Sequence, residues 1–292
     1  MPFHQFVIDL GGAEPGPAEA ACVALGAMSV SLTDAADHPV LEPAPGETPL
    51  WPEIRLRALY AADVNPRLVA ATLMAVLALP AEAIRCELVE ERVWEREWLK
   101  DFRPMRFGRR LWVCPGGQPP GDPDGIVLEL DPGLAFGTGT HATTAMCLEW
   151  LESRALAGLR VLDYGCGSGI LALAALKLGA ARVCAYDIDP QALIATRENA
   201  RRNGLFAQLD VREAGNAPIG EFDLLLANIL AGSLQQLAPD LARLCPAGTL
   251  LLAGLLEAQA AEVADAYRPW FDIDTAARRD GWIALTGHRR AE

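Results

Sequence analysis

The sequence predicts an α/β protein with a doubly wound, mostly parallel sheet, preceded by a small α+β domain. Strands and helices alternate from residue 105 to 292, which is typical of a parallel sheet covered by helices on both faces. Residues 160–189 contain an apolar strand, a glycine turn, a helix and a second strand that ends on an acid. Residues 1–93 have the order β-α-β-β-α-β, which indicates a ferredoxin-like domain.

The first domain is expected to contain four strands and two helices around a Pro- and Gly-rich loop. Its elements are strands at 3–10, 27–32, 54–60 and 84–90, helices at 17–26 and 66–79, and a loop at 37–52.

A charged and aromatic stretch at 94–104 is predicted to form a linker helix between the two domains. Trp94 and Trp98 are four residues apart and therefore share one helix face. We interpret them as packing anchors in preference to a cage for a ligand.

The second domain, 105–292, carries the alternating elements and ends in two strands joined without a helix. Its elements are strands at 125–131, 160–164, 182–188, 208–213, 222–227, 249–253, 271–275 and 282–287, and helices at 143–153, 169–178, 190–203, 232–244 and 258–267. Only Arg279, Asp280 and Gly281 separate the last two strands, which predicts an antiparallel hairpin at the sheet edge. The Pro- and Gly-rich residues 114–125 are predicted to form a loop.

Composition limits the class of protein. The chain has 292 residues, of which 51% are hydrophobic, so it can bury a sizeable core. It has no apolar run of the roughly 18 residues that a membrane helix needs, and it begins with no basic leader. Seven cysteines are scattered singly without C-x-x-C spacing, which argues against disulfides and a metal site. We expect a cytoplasmic protein without a bound metal and without a membrane partner.

The net charge of −13 bears on partners. Nucleic acids are bound mainly through cationic contacts to phosphate, so we expect no direct nucleic-acid binding. An acidic protein attracts a basic protein, although the same charge would also serve solubility alone.

The glycine turn is the most informative segment. Gly165, Gly167 and Gly169 follow a strand and open a helix, and Asp187 ends the next strand, 22 residues after Gly165. Such glycines let the backbone approach a ligand, and an acid at that strand end suits ribose hydroxyls. The unit is therefore predicted to hold a nucleoside.

Asp163, two residues before the turn, indicates which nucleoside. A dinucleotide would place its pyrophosphate at the helix N-terminus, where a carboxylate at about 4 Å would repel it by roughly 1 to 4 kcal/mol. S-adenosylmethionine carries an ammonium and a sulfonium in place of phosphate, so these residues favour it. A purely structural βαβ unit and an NAD-type site remain the alternatives.

Two further segments offer polar groups. Residues 130–144 are rich in Gly and Thr and could fold over a ligand, or could be a plain loop with a Thr as helix N-cap. His141 could be a general base, although a cap or packing role is commoner. Asn228 follows the fourth parallel strand, so its amide points into the same crevice, unless it merely initiates a turn.

Several of these motifs resemble one family. The segments DPGLAFGTGTHATT, DYGCGSG, DIDPQA, ENARRNG and ANILAG, with upstream PVLEPAPGETPLW and WEREWLKDFRPMRFGRRLWVCP, are similar to the ribosomal protein L11 methyltransferases. These belong to the class I S-adenosylmethionine-dependent methyltransferases. The resemblance covers nearly the whole chain. It implies that residues 1–93 recognise a basic ribosomal protein of the large subunit and that residues 105–292 methylate it on lysine and N-terminal amines.

The resemblance also implies a set of site residues. Thr144 and Asn228 are expected to position the reacting groups without acting as a base. The expected cofactor-binding residues are Phe136, Thr138, Gly139, Thr140, Thr144, Gly165, Gly167, Asp187, Ile188 and Asn228. A methyltransferase of another substrate class, a non-catalytic ribosome assembly factor and an NAD-dependent oxidoreductase are the rival functions.

Overall fold

A computed structural model describes residues 2–36, 49–89, 103–116, 118–131 and 139–290. The chain divides into two compact units, Met1–Trp94 and Glu95–Glu292. The linker helix expected at 94–104, with Trp94 and Trp98, falls almost entirely outside the described residues.

The first unit is a four-stranded antiparallel sheet with two helices. The strands are β1 (Phe3–Gly11), β2 (Ser29–Asp34), β3 (Ile54–Ala61) and β4 (Ile84–Val89), and the helices are α1 (Gly16–Ala24) and α2 (Pro66–Leu77). The strand order is β2-β3-β1-β4, with every pair antiparallel. This is the ferredoxin-like arrangement that the element order predicts.

Alternation along β3 explains which face of this sheet carries the helices. Ile54, Leu56, Ala58 and Tyr60 are buried, whereas the residues between them are half-exposed. The Tyr60 hydroxyl donates to the carbonyl oxygen of Cys22 on α1 across 3.1 Å, so the ring anchors that helix to the sheet. The opposite face includes Arg57 and Arg55, and Arg55 Nε donates to Asp9 Oδ1 of β1.

The second unit contains ten strands and five helices among the described residues. The strands are β5 (Met105–Phe107), β6 (Leu111–Pro115), β7 (Ile126–Leu130), β8 (Arg160–Tyr164), β9 (Arg182–Asp187), β10 (Leu209–Glu213), β11 (Leu224–Asn228), β12 (Thr249–Leu256), β13 (Phe271–Arg279) and β14 (Trp282–Arg289). The helices are α3 (Ala142–Glu152), α4 (Ile170–Lys177), α5 (Pro190–Arg202), α6 (Ala231–Leu244) and α7 (Ala260–Tyr267).

Seven of these strands form the main sheet, in the order β10-β9-β8-β11-β12-β14-β13. The first five are mutually parallel, and β14 pairs antiparallel with both β12 and β13. The doubly wound sheet and its edge hairpin are therefore confirmed. The strand order reverses between β8 and β11, which leaves a crevice at their carboxyl ends.

A three-stranded sheet, β5-β6-β7, was not expected in full. Residues 114–125 were predicted to be a loop, but Cys114 and Pro115 extend β6 and pair in parallel with Glu129 and Leu130. That prediction was wrong at its first two residues because β6 gains its stability from β7, eleven residues further on, and local composition does not report such pairing.

The core of the second unit surrounds α4. All residues from Ile170 to Leu176 are buried, because this helix lies between the main sheet and the small sheet. Its apolar sequence is thus that of a core helix. Among the described residues, the longest apolar helices fall short of what a bilayer crossing requires, and no cluster of three metal-binding side chains occurs. All seven cysteines are free thiols.

Candidate functional site

The glycine turn follows β8 at the reversal point of the sheet. Gly165, Gly167 and Gly169 have φ values of +80°, +55° and +81°, a region that side chains disfavour. The N–H groups of Gly165 and Cys166 both donate to the Tyr186 carbonyl oxygen, at 2.8 and 3.0 Å. The turn is thereby fixed to β9, the strand that carries Asp187.

Two of these glycines are also required by neighbouring side chains. A Cβ at Gly165 would collide with Cγ2 of Ile229, and one at Gly169 would lie 2.9 Å from Cγ2 of Thr196. Close approach of a ligand is therefore only part of the reason for glycine here. The protein itself fills the space at both ends of the turn.

Asp163 lies beneath the turn and is 1% exposed. Its Oδ2 accepts a hydrogen bond from the Ala172 N–H at 2.9 Å, in the first turn of α4. Among the described residues its buried Oδ1 has no hydrogen-bond partner. Burial raises the pKa of this carboxyl to about 7, opposed by the Ala172 bond and assisted by Asp187. The charge expected from the sequence is thus only partly developed at neutral pH.

Asp187 ends β9 with both carboxylate oxygens engaged. Oδ2 accepts from the Gly167 N–H and Oδ1 from the Asp189 N–H, each at 2.9 Å. A carboxylate has about four lone-pair sites, so two remain for hydroxyl donors. Ile188 follows and is 75% exposed, which leaves an apolar surface beside the acid.

Thr144 and Asn228, the two residues expected to position the reacting groups, are hydrogen-bonded to each other. Asn228 is the last residue of β11 rather than the residue after it, and its Nδ2 donates to Thr144 Oγ1 at 3.3 Å. Thr144 is 4% exposed, in the first turn of α3. Among the described residues, no donor is bonded to Asn228 Oδ1, which can therefore accept from an incoming amine.

The start of α3 is capped by histidine. His141 is the N-cap, and its Nδ1 accepts from the Thr143 N–H at 3.3 Å. The alternative of a Thr N-cap is therefore wrong, since the cap is His141. The His141 ring packs edge-on against Trp282, with centroids 4.7 Å apart, which favours the capping and packing role over a general base.

Gly254 helps to place Asn228, although it is not among the site residues expected from the sequence. Gly254 has a φ of +84° at an irregularity in β12, and a Cβ there would collide with the carbonyl oxygen of Ile229. Ile229, the neighbour of Asn228, is thus held between Gly165 and Gly254. A glycine within a strand is the available sequence signal, although it does not reveal which backbone approaches.

The remaining expected site residues lie in or near residues 130–144. Gly139 is buried with a φ of +89°, and a Cβ there would lie 3.3 Å from both Met105 and Phe107, so this glycine packs closely against β5. Thr140 is exposed. Phe136 and Thr138 fall outside the described residues, so their roles, and a ligand-covering role for the segment, stay predictions.

Comparison with known proteins identifies the family. The family model "Ribosomal protein L11 methyltransferase (PrmA)" matches residues 2–290. Ribosomal protein L11 methyltransferases of Pseudomonas paraeruginosa and Hahella chejuensis are 48% and 50% identical, over 100% and 91% of both chains respectively. A crystal structure of the ribosomal protein L11 methylase from Lactobacillus delbrueckii subsp. bulgaricus is 34% identical, with a TM-score of 0.60 over 65% of this chain and 100% of that chain. The chain therefore belongs to the ribosomal protein L11 methyltransferase family.

Proposed function

We propose that this protein transfers methyl groups from S-adenosylmethionine to lysine side-chain and N-terminal amines of a basic ribosomal protein of the large subunit. Family membership supports the reaction and its methyl donor. The observation that supports the site is that three features lie together at the carboxyl ends of the parallel strands. These are the glycine turn, the Asp187 carboxylate and the bonded pair of Thr144 and Asn228.

The methyl donor is proposed to lie across the turn. The two remaining lone-pair sites of Asp187 suit the 2′- and 3′-hydroxyls of its ribose, and Ile188 offers an apolar surface to the adenine. The methionine part then lies over the turn, above Asp163. A cation there favours the ionised form of that carboxyl, whereas a phosphate would favour the protonated form. The choice of a sulfonium compound over a dinucleotide therefore rests on family membership.

The acceptor amine is proposed to be oriented by Asn228. Methyl transfer from a sulfonium is an in-line displacement, in which the amine nitrogen attacks the methyl carbon opposite the sulfur. Asn228 Nδ2 is held by Thr144, so its Oδ1 is left to accept an N–H of the neutral amine. Holding the two reactants about 3 to 3.5 Å apart can supply roughly 7 to 11 kcal/mol, without a side-chain base.

Partner recognition is proposed to follow the division of the chain. Residues 1–93 would bind the ribosomal protein, residues 94–104 would link the units, and residues 105–292 would carry the reaction. The net charge of −13 would attract a basic protein and disfavour direct nucleic-acid binding. Because the acceptor is a ribosomal protein, we place the reaction in the cytoplasm.

A direct test is incubation with labelled S-adenosylmethionine and purified ribosomal proteins that lack methylation, followed by peptide mapping. We expect label on amines of one basic large-subunit protein. The matched variants are Asn228→Ala and, as control, Gln235→Ala, since Gln235 bonds only Glu262 on the surface among the described residues. Cofactor binding without label on any protein would contradict the proposal, and label on a nucleic acid or a small molecule would replace the substrate class.

A further inference from the structure

Two asparagines form hydrogen bonds with the main chain at the end of β7. Asn199 lies in α5, and Asn203 lies on the same face at the end of that helix. Asn199 is 1% exposed and Asn203 is half-buried, and one helical turn separates them. Their partners are Glu129 and Asp131, two residues apart at the end of β7. The helix repeat of i to i+4 is about 6 Å and the strand repeat of i to i+2 is about 6.6 Å, so the two rows nearly match.

Each asparagine bonds both main-chain groups of its partner. Asn203 Nδ2 donates to the Glu129 carbonyl oxygen at 2.7 Å, and its Oδ1 accepts from the Glu129 N–H at 3.0 Å. Asn199 Nδ2 donates to the Asp131 carbonyl oxygen at 3.2 Å, and its Oδ1 accepts from the Asp131 N–H at 3.0 Å. Side-chain amides therefore take the place of a neighbouring strand.

Each asparagine makes a third bond through its Nδ2. That of Asn203 goes to the Asn199 carbonyl oxygen at 2.9 Å, whereas that of Asn199 reaches the glycine turn. Asn199 Nδ2 donates there to the carbonyl oxygen of Ser168 at 3.0 Å. Ser168 is fully buried, between Gly167 and Gly169. Thr196, on the same helix face, holds the adjacent carbonyl, since its hydroxyl donates to the Gly167 carbonyl oxygen at 2.9 Å. One planar amide thus connects the turn to residue 131.

These bonds leave the Asn199 amide no freedom. Both of its N–H donors and one lone pair of its carbonyl oxygen are used. In a buried site the loss of a donor leaves an unsatisfied carbonyl, which costs more than the bond itself contributes. A displacement of the turn therefore stretches the bond to Ser168 unless the Asn199 amide and Asp131 move with it.

We propose that Asn199 is a positioning residue that couples the cofactor turn to the end of β7. Cofactor binding at the turn stabilises the bonds to residue 131, and those bonds in turn hold the turn ready for the cofactor. The coupling is reciprocal, as any linkage between two binding equilibria must be. This inference rests on the proposed placement of the cofactor against the turn.

The test compares Asn199→Asp with Asn203→Asp. Each substitution removes two donors to main-chain carbonyls and keeps an acceptor. One of the two carbonyls released by Asn199→Asp is that of Ser168, whereas Asn203→Asp leaves the Ser168 carbonyl bonded. We expect Asn199→Asp to raise the Kd for S-adenosylmethionine about tenfold, and Asn203→Asp by less than about twofold, with melting temperatures reported for both. The KM for the ribosomal protein should change in neither. Equal Kd values for the two variants would overturn the proposal.

A second measurement uses the unaltered protein and so does not depend on how the variants fold. Hydrogen exchange of the Asp131 N–H, which Asn199 holds, should slow severalfold when S-adenosylmethionine is added. Exchange of the Glu129 N–H, which Asn203 holds, should change much less. Suppose that the bound cofactor changes the NMR chemical shift of the Gly167 amide but leaves hydrogen exchange at Asp131 unaltered. That result would refute the coupling. Cofactor binding that leaves the Gly167 amide unshifted would refute the placement of the cofactor instead.

Discussion

The side-chain amide of Asn228 donates to the hydroxyl of Thr144 across 3.3 Å, although 84 residues separate them. One residue ends β11 and the other lies in the first turn of α3, so their bond joins the sheet to a helix beside the crevice. The bond fixes which end of the amide faces the crevice. A carbonyl oxygen presented there can orient an amine but cannot remove its proton.

We expect Asn228→Ala to lower kcat for protein methylation by at least about tenfold while the fold stays intact. Thr144→Val should lower it less, because the valine removes the hydroxyl that holds the amide but leaves the amide present. The double variant should resemble Asn228→Ala alone, since Thr144 acts through Asn228. Single-turnover rates of the four proteins test this. Near-normal turnover of Asn228→Ala would remove Asn228 from the mechanism.

Asp163 should make stability and cofactor affinity depend on pH in opposite directions. Burial raises the pKa of its carboxyl in the folded protein from an ordinary 3.8 to about 7. The folded state therefore holds a proton that the unfolded state releases. Its contribution to stability is present at low pH and is lost as pH rises from about 4 through about 7. A cationic cofactor favours the ionised carboxyl, so its affinity should rise as pH increases from about 6 to 8.

Asp163→Asn tests this linkage, because the amide oxygen can still accept from the Ala172 N–H. We expect the melting temperature of the variant minus that of the original protein to increase as the pH rises from 5 to 8. Calorimetric titration with S-adenosylmethionine should show weaker binding and no proton release for the variant. A variant whose affinity and proton release match those of the original protein would show that Asp163 stays in one protonation state.

Gly254→Ala should lower kcat in addition to lowering the free energy of unfolding. The added methyl group would meet the carbonyl oxygen of Ile229, and relief of that collision moves the adjacent Asn228. Gly281→Ala is the matched control, because Gly281 has a similar φ of +77° with open space where a Cβ would lie. Both should lose about 1 kcal/mol or more in unfolding free energy from the positive φ, and Gly254→Ala should lose more than Gly281→Ala because its Cβ meets backbone atoms. Only Gly254→Ala should lower kcat by about tenfold or more. An equal kcat for the two variants would contradict the role of Gly254.

Salt should weaken recognition of the protein substrate. The chain carries 38 acidic and 25 basic residues, so a basic partner is attracted over distances that ionic screening shortens. We expect the KM for the ribosomal protein to rise severalfold between about 50 and 300 mM salt, with little change in kcat. Steady-state assays at saturating cofactor measure this. A KM independent of salt would assign the net charge to solubility alone.

Features that depend on residues close together in the sequence were predictable from it. The strand, glycine turn, helix and second strand of 160–189 lie where expected, and Asp189 accepts from the Gln191 N–H as the N-cap of α5. The missing helix between β13 and β14 correctly implied their pairing. Each of these depends on steric rules within a few residues, or on the spacing of successive elements.

Features that depend on distant contacts were not predictable. Asn199 and Asn203 look like ordinary polar helix residues, and their bonding to β7 spans 68 and 74 positions. Gly254 is required by the backbone of Ile229, which no local pattern reports. Asp163 was expected to carry a full charge. Burial raises the pKa of its carboxyl, and that burial depends on the packing of α4, which the local sequence does not report.

The asparagine pairing at β7 also protects the protein from self-association. A strand edge with unpaired N–H and C=O groups can recruit a strand from another molecule, the first step toward aggregation. At Glu129 and Asp131 those groups are already occupied by side chains that cannot themselves propagate a sheet. Loss of Asn203 would therefore expose the unpaired N–H and C=O groups of Glu129, and we expect such a variant to aggregate on storage even though it binds the cofactor normally.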